Sequence, residues 1–219
     1  MAPLPQSSAK LPRGSTRLVT VVSGLPRSGT SMMMQMLEAG GLEIASDGLR
    51  VADADNPRGY YELEAVKRIR EDVSFVRDCV GKVVKIVAPL LPSLPKEYDY
   101  RVVFMERDLG QVLASQREML KRRGSEGSAA NDSALERAYR GQIEKVKDWI
   151  AGQNNIQTLF VSHRAAIEDP RSIALDVLDF LERAVRLPGS ARDRSPLASS
   201  VEEMARVVDV KGGVAQETS

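Results

Sequence analysis

The chain has 219 residues, 42% of them hydrophobic, which is enough for one ordinary globular domain with a core and short for two. Its 31 Lys and Arg nearly balance 30 Asp and Glu, for a net charge of +1, so bulk electrostatics argue against a nucleic-acid partner or an anionic membrane surface, and any anion site must be local. A single cysteine, Cys79, excludes an internal disulfide, no apolar run reaches the length of a membrane span, and residues 1–16 lack the apolar stretch of a secretory signal; these features point to a reducing, cytoplasmic setting.

Residues 1–16, rich in Pro and Ser, read as a flexible tail before a domain spanning 17–185, with 186–219 as a partly helical or disordered extension. Short, nearly continuous apolar runs at Leu18–Ser23, Lys82–Val87, Arg101–Glu106 and Ile156–Val161 predict strands buried on both faces. Helical patterns fall between and after them, at Thr30–Ala39, Glu62–Cys79, Asp108–Lys121, Ala134–Ala151 and Arg171–Ala184. In the fourth of these, Leu135, Ala138, Tyr139, Ile143, Val146, Trp149 and Ile150 share one face, which makes Trp149 a core residue rather than a platform for a ligand. Arg123–Ser133 and Arg186–Ser200 are polar, Gly-, Ser- or Pro-rich and read as mobile loops, and Val201–Val210 as a last short amphipathic helix. The alternation predicts an α/β fold in three layers, a mainly parallel sheet flanked by helices.

Between the first strand and the first helix stands Gly24-Leu25-Pro26-Arg27-Ser28-Gly29-Thr30-Ser31. Its glycines let the backbone fold into a nest of N–H groups, the helix N-terminus adds partial positive charge at the same point, and Thr30 and Ser31 add hydroxyls. This is a phosphate loop in its proper context, so the domain is expected to be a P-loop domain. An ATP-using loop would carry Lys where Thr30 stands, which weighs against a kinase or ATPase. The cation instead is Arg27, positioned to fork onto a phosphate or bridging oxygen.

PRSGTS after a strand resembles the loop of the sulfotransferases that use 3′-phosphoadenosine 5′-phosphosulfate (PAPS), whose members read PKSGTT or PRSGTT there. The resemblance extends over most of Leu18 to Glu182. It implies that Arg27, Ser28, Gly29, Thr30 and Ser31 hold the 5′-phosphosulfate end of the donor, with Arg27 assisting the departing phosphate. In RVVFMERDLGQVLASQREM, Arg107 and Ser115 stand at the spacing of the family's pair for the 3′-phosphate, and Asp108 is suited to cap the helix between them. LFVSHRAAIEDP is similar to a segment reading YEDL or YEDM with a Pro seven positions after the Tyr; here the Pro is Pro170 and His163 replaces the Tyr, implying a contact to the nucleotide.

The family's KTHLP segment, whose Lys touches the transferring group and whose His takes the acceptor's proton, aligns with Lys85-Ile86-Val87-Ala88-Pro89. Lys85 is retained, but Val87 replaces the His. Glu62, in DADNPRGYYELE, lies near where the tyrosylprotein branch carries its base and is the best substitute, with Asp53 and Asp55 as weaker ones; the alternative for Glu62 is a plain first-turn carboxylate. The expected activity is PAPS-dependent sulfuryl transfer, without a metal, to a hydroxyl or amine of a small molecule, glycan, lipid or peptide. A P-loop small-molecule or nucleotide kinase, and a noncatalytic nucleotide-binding protein, remain as alternatives.

Overall fold

A computed structural model describes residues 17–49, 59–122, 132–182 and 195–214. The expected N-terminal tail, residues 123–131 of the first loop and residues 186–194 of the second lie outside the described residues, as do Asp53, Asp55 and Arg58. The strands are β1 (Leu18–Gly24), β2 (Ile44–Ala45), β3 (Val83–Lys85), β4 (Asp99–Glu106) and β5 (Ile156–Ser162). The helices are α1 (Thr30–Ala39), α2 (Leu109–Arg122), α3 (Asp132–Ala151), α4 (His163–Glu168), α5 (Pro170–Glu182) and α6 (Ser195–Val214), with 3₁₀ turns at Glu64–Arg68, Ser74–Cys79 and Ala88–Ser93.

The sheet is parallel throughout, in the order β2-β3-β1-β4-β5, which makes β1 the central strand. Both faces are covered, as the uninterrupted hydrophobicity of the strands requires. Val22, Val103 and Met105 pack against α1, α5 and α6 through Met33, Met36 and Leu37, Val177, and Met204. Val19, Val21, Val102 and Phe104 face the opposite layer, where the 3₁₀ turns supply Val66, Ile69 and Val76 and α3 supplies Val146 and Ile150. The expected three-layer α/β architecture is present, and Trp149 lies against this second core, half-buried.

Five expectations change in detail. The helix expected over Glu62–Cys79 is two 3₁₀ turns, because the Asp72 carboxylate accepts the Ser74 N–H (2.8 Å) and so competes with helical hydrogen bonding at the junction. β2, only two residues long, carries too little pattern to be read, and the segment around it reads as loop. β3 stops at Lys85; Val87 follows in extended backbone and leads into the turn opened by Ala88 and Pro89. The helix expected over Arg171–Ala184 begins at Pro170, whose fixed φ suits a first turn, and Asp169 caps it by accepting from Ser172 N (2.9 Å) while separating off α4. Residues 195–200, expected to belong to a mobile loop, form the start of α6.

Cys79 is 1% exposed, and burial, with Asp78 nearby, pushes its thiol from an ordinary 9.0 up to about 11. It should therefore resist Ellman's reagent at pH 8 in the native protein and react fully in guanidinium; fast native labelling would contradict its burial.

Candidate anion-binding site

Apart from Ser115, on α2, every sequence-predicted site residue outside the loop before the first 3₁₀ turn comes from the carboxyl end of a strand or from the segment that directly follows it. The loop follows Gly24 at the end of β1, Lys85 ends β3, Arg107 follows the last residue of β4, and His163 follows the last residue of β5. Parallel pairing brings these ends level, with Val22 opposite Lys85, Gly24 opposite Met105 and Glu106 opposite Ser162. The chain leaves β1 for the β2-β3 side of the sheet and later crosses to the β4-β5 side, which opens the crevice where ligands gather in such folds.

The loop is tightly built. Ser28 N donates to the Leu25 carbonyl (3.1 Å), and Gly29, at φ 97° and ψ 13°, stands at the N-terminus of α1 with no side-chain cap. That conformation favours glycine, and a Cβ there would fall 2.4 Å from His163 Cδ2, so the imidazole lies directly against the loop. Ser28 is 1% exposed, and its buried Oγ has no hydrogen-bond partner. Thr30 is buried as well, at the start of the helix.

Arg27 adopts φ 69°, unusual for a residue with a side chain, and its Nε donates to Ser115 Oγ on α2 (3.0 Å). Arg107 reaches the same place from the end of β4: one guanidinium nitrogen donates to the Arg27 carbonyl (3.0 Å) and Nε to Gln111 Oε1 (3.3 Å). Asp108 caps α2 as expected, accepting from Gln111 N (3.0 Å). Arg27, Arg107 and Ser115 thus form one cluster, although the sequence assigns them to opposite ends of a ligand. Burial, and after it the neighbouring Arg27 charge, lowers the Arg107 pKa below the ordinary arginine value. Two guanidinium groups held close in a half-buried position are a state that a bound anion relieves.

A second cluster lies toward β3. Lys85 Nζ donates to Ser31 Oγ (3.1 Å) and to the Tyr60 carbonyl (2.9 Å), and Glu62 Oε1 is 3.9 Å away, with side chains 10% and 27% exposed. Ser31 occupies the motif position whose hydroxyl binds Mg²⁺ in ATP-using loops, and here it accepts from an ammonium. On the other flank, a cavity of about 370 Å³ between the end of β4, α2 and α3 shares Ser28 with the loop and Arg107 with the cluster. Leu25, Leu109, Val112 and Ile143 line its apolar part, while the Glu106–Lys147 ion pair and Arg140, bound to Glu136 (2.8 Å), supply its charge. Lys85 and Glu62 are not part of its lining.

The sequence reading missed Tyr61, at φ 52°, whose hydroxyl donates to Glu38 Oε2 (2.5 Å), and Asp47, which accepts from Glu64 N (2.5 Å) and Leu49 N (3.0 Å). No periodicity marks either residue, because both lie in irregular segments between the regular elements. Among the described residues no cluster of His, Cys, Asp and Glu could hold a metal ion, and no helix is long and apolar enough to cross a membrane. No protein-family model matches the chain, and no curated protein matches it.

Proposed function

We propose that this chain is a PAPS-dependent sulfotransferase. The observation that carries the reading is the pairing of Arg27 and Arg107 at Ser115, beside a helix N-terminus: two cations and a hydroxyl where a ligand phosphorylated at both ends would lie across the strand ends. The fit of such a donor is supported by three features. Ser28 Oγ is buried with no partner, Gly29 gives the loop a left-handed turn directly against His163, and burial together with the neighbouring Arg27 charge lowers the Arg107 pKa, a cost that a bound anion offsets. Gly29, Thr30, Ser31 and Arg27 would hold the 5′ end, and Arg107 and Ser115 the 3′-phosphate, with His163 against the nucleotide.

When bound, PAPS supplies a sulfuryl group on a phosphosulfate anhydride and leaves as 3′-phosphoadenosine 5′-phosphate (PAP). Lys85 and the loop amides then offset negative charge as it builds on the bridging oxygen, and Arg27 offsets the charge left on the phosphate. Glu62, close to Lys85, accepts the proton that a hydroxyl or amine acceptor loses as its bond to sulfur forms. The Lys85 ammonium on Ser31 Oγ favours this reading over a Mg²⁺-dependent kinase, since an ammonium is bonded to the hydroxyl that would bind the metal. One observation favours a noncatalytic nucleotide-binding protein: Val87, at the family's base position, cannot take a proton.

Calorimetry with PAP and AMP, without Mg²⁺, tests the reading. PAP should bind at least tenfold more tightly, and equal binding would remove the 3′-phosphate site. Tight PAP binding with no sulfation across a library of alcohols, phenols and amines would favour the noncatalytic protein.

A further inference from the structure

Lys85 has three ammonium N–H groups, and two of its acceptors, Ser31 Oγ and the Tyr60 carbonyl, lie on different segments of the chain. Two fixed acceptors set the direction of the third N–H. The aim of this cation therefore depends on how rigidly the backbone around Tyr60 is held.

That backbone is held under strain. Tyr61, between Tyr60 and Glu62, lies at φ 52°, a left-handed conformation that an aromatic residue adopts only when its surroundings enforce it. Its ring packs against the core beneath α1, and its hydroxyl donates to Glu38 Oε2 in the last turn of α1 (2.5 Å). Just beyond it, Asp47 N donates to the Glu62 carbonyl (3.3 Å), and the Asp47 carboxylate accepts from Glu64 N (2.5 Å). Hydrogen bonds to the Asp47 carboxylate from Glu64 and Leu49 lower its pKa, so it stays ionised in this role at neutral pH. The strained residue is thus tethered through its side chain, and the chain after it is pinned through its backbone.

We propose that Tyr61 is a positioning residue: its left-handed backbone, tethered to Glu38, sets the Tyr60 carbonyl and the Glu62 carboxylate around Lys85 and so aims the ammonium at Ser31 of the phosphate loop. The catalytic consequence rests on the sulfuryl-transfer reading; the clamp itself does not. Tyr61 touches neither Arg27 nor Arg107 through any of these bonds, so its loss should alter Lys85 and spare the anion cluster.

The test is competitive labelling of the full chain with limiting acetic anhydride, with acetylation at each lysine quantified by peptide mass spectrometry, in the wild type, Tyr61→Phe, Glu38→Ala and Glu38→Gln. Tyr61→Phe and Glu38→Ala should raise labelling of Lys85 severalfold relative to Lys67 and Lys82, whereas Glu38→Gln, which keeps an acceptor for the hydroxyl, should stay near the wild type. Glu38 is exposed, so its variants serve even if Tyr61→Phe folds poorly. Unchanged Lys85 labelling in Glu38→Ala, or a rise shared equally by Lys67 and Lys82, would overturn the clamp, since the first leaves Lys85 undisturbed and the second reports general loosening. PAP titrations of the same variants keep the two ideas separate: affinity should stay within about twofold of the wild type. Absence of PAP binding in all four proteins would remove the donor reading and leave the labelling result standing.

Discussion

Arg107→Ala should weaken PAP binding by roughly 10- to 150-fold, the equivalent of the about 1.5–3 kcal/mol that a hydrogen bond to a charged group contributes. AMP should lose less. It has no 3′-phosphate for Arg107 to hold, and would feel the change only through the lost bond to the Arg27 carbonyl, which steadies the loop at φ 69°. The ligand-free protein should not pay for the change: removing one of two neighbouring guanidinium groups removes burial and repulsion together, the two causes that lower the Arg107 pKa. The melting temperature without ligand is therefore expected to hold or rise, and the rise produced by saturating PAP to shrink, because ligand stabilisation follows affinity through RT ln(1 + [L]/Kd). Isothermal calorimetry and differential scanning calorimetry give the two readings. Equal loss for PAP and AMP would make Arg107 a support of the loop and not a phosphate ligand.

The contrast between this cluster and its neighbour explains what the sequence could reveal. Gly24 to Ser31 is legible because a tight turn into a helix demands glycine and small hydroxyl residues at fixed places, and those demands are visible one residue at a time. Arg107 and Ser115 are legible by spacing, since a strand end and the second turn of the following helix are separated by a predictable length of chain. Convergence is a different matter. That Arg27 turns to Ser115, and Arg107 to the Arg27 carbonyl, depends on a left-handed backbone at an arginine, which no local preference announces. The same holds around Lys85. Its place at the end of a strand follows from the apolar run Val83–Val84 before it, but its acceptors belong to a segment where the expected helix is replaced by strained loop and 3₁₀ turns. Tyr61 was the least legible of all, because an aromatic residue at positive φ contradicts the propensity from which a sequence is read.

Gly29→Ala is expected to be the most damaging single change in the loop, and its cost has two separable parts. The backbone part comes from φ 97°, where a side chain is strained whatever the space around it; a left-handed position costs a non-glycine residue about 1–2 kcal/mol. The steric part comes from the imidazole of His163, 2.4 Å from the new methyl carbon. The His163 backbone is fixed, because it is the first residue of α4 and Ser162 fastens that helix end by accepting from Ala165 N (3.3 Å), so relief has to come from turning the imidazole itself. Together the two parts should lower stability by about 2–4 kcal/mol, within the range for strain at a special backbone position combined with a clash. Urea denaturation of Gly29→Ala, His163→Ala and the double variant separates them. The double variant should recover the steric part and no more, leaving about 1–2 kcal/mol that belongs to φ. Complete recovery would show that the loop tolerates a side chain at this φ and that only the ring forbids it. PAP binding adds a further discrimination: if His163 lies against the nucleotide, His163→Ala weakens PAP while leaving the fold intact, whereas a ring that only packs on Gly29 can be removed without loss of affinity. In neither case should PAP binding return fully in the double variant, because the loop amides must point at the anion from the backbone shape that Gly29 alone adopts at low cost.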